Sequence, residues 1–159
     1  MSMEKQFTTF YLGEERFGVD ILLVKEINRH LEITEVAGSP PYIKGLLNLR
    51  GQIVTVMDLA LRFDRPTTMV TPESRCIVLK TDSELSGHLA AGFVEEGTSE
   101  DAVGFLVDRV DDMVTVDQGQ VEHSPANISG MDSKFLSGVI NLENELIVLI
   151  RAREVLVND

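Results

Sequence analysis

The side chains able to do chemistry in this chain are scattered, and that dispersal is informative. The three histidines, His30, His88 and His123, are far apart, and the lone cysteine, Cys76, stands near none of them. No pair has the i, i+4 or Cys-pair spacing of a zinc site. No glycine-rich phosphate loop and no Gly-x-Ser-x-Gly elbow occurs. Asp58 follows an apolar run, but Leu59-Ala60 comes next, not the small hydroxyl and glycine of an aspartic-protease loop. The acids lack the spacing of a calcium loop. Asn127-Ile128-Ser129 fits a glycosylation acceptor, yet residues 1–6 lack the charged and apolar regions of a secretion leader. Neither catalysis nor a metal or cofactor is expected.

One side chain asks for an explanation. Arg50 is a permanent cation in an Arg50-Gly51 turn whose flanks, 45–49 and 53–57, are almost wholly aliphatic. Such a charge needs a carboxylate partner or a role at the surface. Glu26, an acid in the apolar run 24–27, has the complementary problem. An ion pair between them is expected, bidentate if the site is enclosed.

Composition narrows the rest. The 159 residues are 43% hydrophobic, enough for one domain or two small subdomains with a real core. The net charge of −12 argues against nucleic acid and anionic membrane surfaces, which need basic patches. No apolar run approaches ~20 residues, so direct membrane insertion is not expected. A single cysteine rules out an internal disulfide and fits a reducing, cytoplasmic compartment; in the run Cys76-Ile77-Val78-Leu79 it reads as a core thiol. The acids Glu95, Glu96, Glu100 and Asp101, like Asp108, Asp111, Asp112 and Asp117, read as solvated loops and strand edges.

Short strand-like runs must position these residues. They cover 7–12, 16–20, 24–27, 45–49, 53–57, 76–80, 88–94, 103–107, 110–116, 136–142 and 146–150. Turns at Gly13, 38–41, 50–51, Gly97, Gly119 and Asn144 separate them. Many short strands at this spacing predict a barrel or sandwich. The pattern also excludes a phosphorylatable receiver domain, which alternates strands with long helices. Helices are expected at 59–63, capped by Asp58, and at 151–157. Residues 82–101 read as a hairpin with flexible ends.

The chain repeats itself. Residues 45–57 set over 138–150 give three identities among thirteen positions, Gly45/Gly138, Asn48/Asn141 and Leu49/Leu142, and six further aliphatic matches. Val19-Asp20 pairs similarly with Val107-Asp108. Two copies of one β unit are expected, differing at the turn: Arg50-Gly51 in one, Glu143-Asn144 in the other.

Residues 17–27, then Pro41-Tyr42-Ile43-Lys44-Gly45-Leu46-Leu47-Asn48-Leu49-Arg50-Gly51 and Val54-Thr55-Val56-Met57-Asp58-Leu59, resemble the CheW-type chemotaxis coupling family. Val103-Gly104-Phe105-Leu106-Val107-Asp108-Arg109-Val110 and Phe135-Leu136-Ser137-Gly138-Val139-Ile140 extend the similarity, which spans residues 7–156. The resemblance implies a mainly all-β fold: two SH3-like five-stranded β-barrel subdomains side by side, with short helices. A single domain over 4–157 is expected, with halves 7–70 and 71–157 and room for an exchange of terminal strands. The resemblance also implies a non-catalytic adaptor joining the regulatory domain of a CheA-type histidine kinase to the cytoplasmic tip of chemoreceptors, in the groove between the barrels. It assigns coupling and receptor contact to Val24, Glu26, Gly45, Asn48 and Arg50, and Leu46 joins this candidate set. By packing alone, Val24 and Leu46 would be core, Gly45 a backbone requirement and Asn48 a turn residue. Gln52, Thr55 and Arg151-Ala152 depart from the family's pattern, and 82–101 is long. A CheW-like scaffold in a related pathway, or a small-molecule-binding β protein, are the alternatives.

Overall fold

The structure, a computed structural model, describes residues 4–123 and 131–157. The Asn127-Ile128-Ser129 pattern lies outside the described residues. The strands are β1 (Glu4–Leu12), β2 (Glu15–Asp20), β3 (Val24–Asn28), β4 (Ile43–Leu49), β5 (Gln52–Asp58), β6 (Arg75–Leu79), β7 (Val103–Val107), β8 (Arg109–Asp117), β9 (Val121–Glu122), β10 (Leu136–Leu142) and β11 (Glu145–Ile150). The helices are α1 (Leu59–Arg62), α2 (Asp82–Ala90) and α3 (Ala152–Leu156). The first sheet has the order β3-β6-β7-β5-β4, the second β8-β1-β2-β11-β10-β9. The fold is mainly β, in two subdomains. The second sheet holds six strands where five were expected, because the two-residue β9 adds to it.

The sheets do not divide the chain at residue 70. β1 and β2 join the sheet built from β8–β11, while β6 and β7 join the sheet of β3–β5. The joins are parallel: β2 beside β11, and β7 beside β5. In both sheets a glycine sits at the join. A Cβ on Gly18 would lie 3.0 Å from Leu149 Cδ2, and one on Gly104 2.3 Å from Cys76 Sγ. The equivalence of β2 and β7 therefore runs through Gly18 and Gly104, which face Leu149 and Val56. That register does not align Val19-Asp20 with Val107-Asp108, so this part of the repeat was misaligned.

The two central hairpins are equivalent residue for residue. Gly45 pairs with Val56 and Leu49 with Gln52; Gly138 pairs with Leu149 and Leu142 with Glu145. Each has a register shift just before its glycine. Even the outer neighbour repeats. Thr34 bridges Leu46 in one copy, and Glu122 pairs with Val139 in the other.

The continuous apolar runs now have a cause. Side chains alternate across a strand, so a strand covered on both faces needs apolar residues throughout. Cys76 and Val78 fill the first barrel with Leu47, Leu49, Val54, Val56 and Leu106. Ile77 and Leu79, on the other face of β6, enter the core shared by the two barrels. In the second barrel Ile147 and Leu149 face inward while Val148 and Ile150 face the shared core. A file of rings, Phe10–Phe17–Phe63–Phe135, runs through that core with centroids 5.8, 5.7 and 5.4 Å apart.

Short helices stand close to their predicted places. Asp58 Oδ1 accepts from Leu61 N at 3.3 Å and so caps α1. The expected hairpin at 82–101, including a strand at 88–94, is corrected: α2 occupies Asp82–Ala90. Thr81 Oγ1 accepts from Glu84 N, and Glu84 returns a carboxylate to Thr81 N, a capping box. That local signal outweighs the short apolar run His88-Leu89-Ala90-Ala91.

Candidate interaction face at the tip of the first barrel

Asn48 prepares the turn. Its Oδ1 accepts from Gly51 N at 2.9 Å. Arg50 and Gly51 both have positive φ, 53° and 87°, as a two-residue hairpin turn matching strand twist requires. Arg50 thus sits at the extreme tip with its side chain 72% exposed.

Arg50 Nη2 donates to Glu26 Oε2, as expected, through this one contact rather than a bidentate fork. Glu26 is paired across β3–β6 with Val78, so it shares Val78's face at the mouth of the first barrel. β3 and β4 are the outermost strands of their sheet, and the ion pair ties one to the other's tip. Lys25 adds a second tie, reaching Gln52 Oε1 at 3.4 Å and Glu84 Oε2 at 2.8 Å. The sheet is thereby curled on itself.

The remaining candidates divide. Gly45 is buried with φ 151°, and a Cβ there would lie 2.1 Å from the Thr34 carbonyl oxygen. Only glycine permits that approach, which the Thr34–Leu46 hydrogen bonds at 2.8 Å fix in place. Leu46 points to the opposite side from Leu47 and stays half-buried. Val24 packs against the shared core, on the far side of the bulge that separates it from Glu26. The structure therefore brings Glu26, Asn48 and Arg50 together, keeps Leu46 on the same hairpin, and turns Val24 inward. Sequence reasoning missed Ile53, 54% exposed beside Asn48, and Ile27 at 42%. Both are aliphatic residues in strand runs, so composition gave no sign that they face solvent.

Electrostatics at the mouth are simple. Burial pushes the Cys76 thiol up to about 12, with the Glu26 charge adding to it, so Cys76 stays an uncharged core residue. Among the described residues no group of three His, Cys, Asp or Glu side chains is arranged to hold a metal ion. None of their helices is long and apolar enough to cross a membrane. The tip thus presents an exposed cation beside the exposed apolar side chain of Ile53 on a turn locked by Asn48.

The comparisons with known proteins bear on the family and the fold. The CheW-like domain family matches residues 6–159. A chemotaxis protein CheW of Treponema pallidum is 29% identical over 91% of this chain and 78% of its own. One from Bacillus subtilis is 28% identical over 96% of this chain and 86% of its own. Protein FrzA of Myxococcus xanthus is 30% identical over 55% of this chain and 54% of its own. The crystal structure of the scaffolding protein TtCheW from Thermoanaerobacter tengcongensis superposes with a TM-score of 0.81 at 26% identity, covering 99% of this chain and 90% of that one. A family match across nearly the whole chain, with a shared two-subdomain β fold, places this protein in the CheW-like domain family.

Proposed function

We propose that the chain is a non-catalytic adaptor of chemotaxis signalling, working in the cytoplasm. It couples a CheA-type histidine kinase, through the kinase's regulatory domain, to the cytoplasmic tip of chemoreceptors. Residues 4–157 act as one unit. Membership of the CheW-like family and the names of the relatives support this reading. The observation that carries it is the Glu26–Arg50 pair, which holds a 72%-exposed guanidinium at the tip of a rigid turn. Beside it on the same hairpin, Leu46 and Ile53 offer apolar surface and Asn48 locks the turn. Arg50 contacts the receptor, Glu26 aims it, Gly45 and Asn48 hold the hairpin, and Val24 fixes the edge strand against the core.

A pull-down from the parent organism, with the protein as bait and its CheA-type kinases and receptor tips as prey, tests the reading. Recovery of both, and loss of the receptor with folded Arg50→Ala, is the expected result. Recovery of neither overturns it. The similarity to FrzA favours a second reading, a scaffold in a related pathway, which the same experiment identifies by the receptor and kinase recovered.

A further inference from the structure

The segment between β6 and β7 meets the face described above only through Glu84, and it touches both barrels. Its ends are pinned together: Asp82 N donates to Ser99 O at 2.8 Å, Thr98 N donates to Asp82 Oδ1 at 2.7 Å, and Thr98 Oγ1 donates to Lys80 O. Gly97 permits this closure, since a Cβ there would lie 2.2 Å from Asp82 Oδ1. At one end Glu84 pairs with Lys25 of β3, which also reaches Gln52 at the hairpin tip. Toward the other, Glu96 accepts from Arg151 Nε at 3.0 Å and Nη2 at 2.9 Å, while Asp82, at the start of α2, lies 3.9 Å from Arg153 of α3.

The two ends are anchored unequally. α2 is held by its capping box, by fully buried Leu85 and by partly buried Leu89. Beyond it only Val94 enters the shared core, while Phe93 stays 58% exposed. A half-open cleft lined by Phe7, Leu23, Val94, Glu96 and Arg151, among others, borders this stretch. The Glu96–Arg151 pair is more than a third exposed on both sides, so salt screens it.

We propose that residues 82–101 are an electrostatic strap that ties β3 of the first barrel to α3 of the second, and that its 93–99 end opens locally while both barrels stay folded. The proposal rests on contacts within the chain and stands apart from the identity of any partner. Between α2 and the pinned Thr98–Ser99, one apolar anchor and one screened ion pair are the conditions for local opening below the global unfolding free energy. Through Lys25, the strap connects the hairpin tip with the C-terminal helix.

Hydrogen–deuterium exchange of the full chain, read by mass spectrometry, tests this. In Glu96→Gln, and in the unaltered protein at ~1 M salt, amides of 93–99 should exchange roughly two- to fivefold faster, the range open to loss of an exposed ion pair. Gly97→Ala should speed the same amides by displacing Asp82. Amides of β6, β7 and β11 should keep their rates in every case. Combining Glu96→Arg with Arg151→Glu should return 93–99 toward the original rate. Unchanged rates in Glu96→Gln and in salt overturn the strap, as does a rise shared equally by 93–99 and the central strands. Failure of the charge exchange to slow 93–99 overturns the part played by this pair.

Discussion

The two central hairpins have one backbone and opposite electrostatics. β4–β5 and β10–β11 share register, bulge glycine and a turn of two positive-φ residues, Arg50-Gly51 or Glu143-Asn144. In the first copy the cation stands on the turn, exposed, and its acid, Glu26, stands on the edge strand. In the second the arrangement is inverted. The cation, Arg16, lies on β2 with its side chain only 10% exposed, held by Glu145 at 3.1 Å, Asp111 at 3.6 Å and Thr9 Oγ1 at 2.9 Å. Tyr11 donates to Glu145 at 2.8 Å, which raises the phenol's pKa, chiefly through that hydrogen bond. The outer faces differ too. Val139 and Val148 are 2% exposed in the shared core, whereas their equivalents Leu46 and Thr55 remain half-exposed. The two copies therefore share a backbone, while their side chains seal one hairpin into the shared core and leave the other's outer face exposed.

Substitution of the two bulge glycines should separate the copies most strongly. Gly45→Ala meets a carbonyl oxygen and an unfavourable φ together, and should cost roughly 3 kcal/mol. Gly138→Ala, whose Cβ would lie 2.8 Å from Glu122 O, meets crowding alone. It should cost about 1–2 kcal/mol. Denaturant unfolding of both variants measures the difference, and equal costs would break the asymmetry. Next comes Arg16→Ala, which strips a buried donor from two carboxylates and should destabilise by ~1.5–3 kcal/mol. Arg50→Ala should cost only about 0.2–1 kcal/mol, because its pair is largely solvated. Reversal of that order would mean that the tip, not the sealed network, carries stability.

Much of this was legible in the sequence, for a specific reason. Unpaired charges inside aliphatic runs are costly, so Arg50 and Glu26 pointed to each other across 24 residues. The repeat was visible because both hairpins need the same glycine and the same inward apolar positions. The exchange of strands between sheets stayed unspecified. The parallel joins β2–β11 and β5–β7 link segments far apart in sequence, and an apolar run does not name its neighbour. α2 was not legible in the apolar pattern over 88–94, because what fixes it is the capping box of Thr81 and Glu84, a start signal that the strand-like run does not contain. The exposure of Ile53 was hidden because strand alternation shows which face a side chain takes, not whether that face is covered.

The smallest expected effect comes from acid. The hydrogen bond from Lys25, seconded by the one from Thr81 N, holds the Glu84 carboxyl below the usual carboxylate range. A depressed folded-state pKa gives stability that is present above the unfolded value and is lost as pH falls through the folded one. Glu84→Gln should therefore flatten the loss of stability below about pH 4.5. Melting temperatures of both proteins between neutral pH and pH 3 measure this. An identical acid profile would dissociate Glu84 from the strap's capped end.

The central claim is that the two hairpin tips are not interchangeable, and titration calorimetry against the cognate receptor tip tests it most directly. Folded Arg50→Ala should bind at least about tenfold more weakly, the loss expected of an anchor residue. Glu143→Ala, at the equivalent tip, should bind within about twofold of the unaltered protein, as a residue outside the contact does. Equal affinities for all three proteins, or a greater loss with Glu143→Ala, would contradict the account.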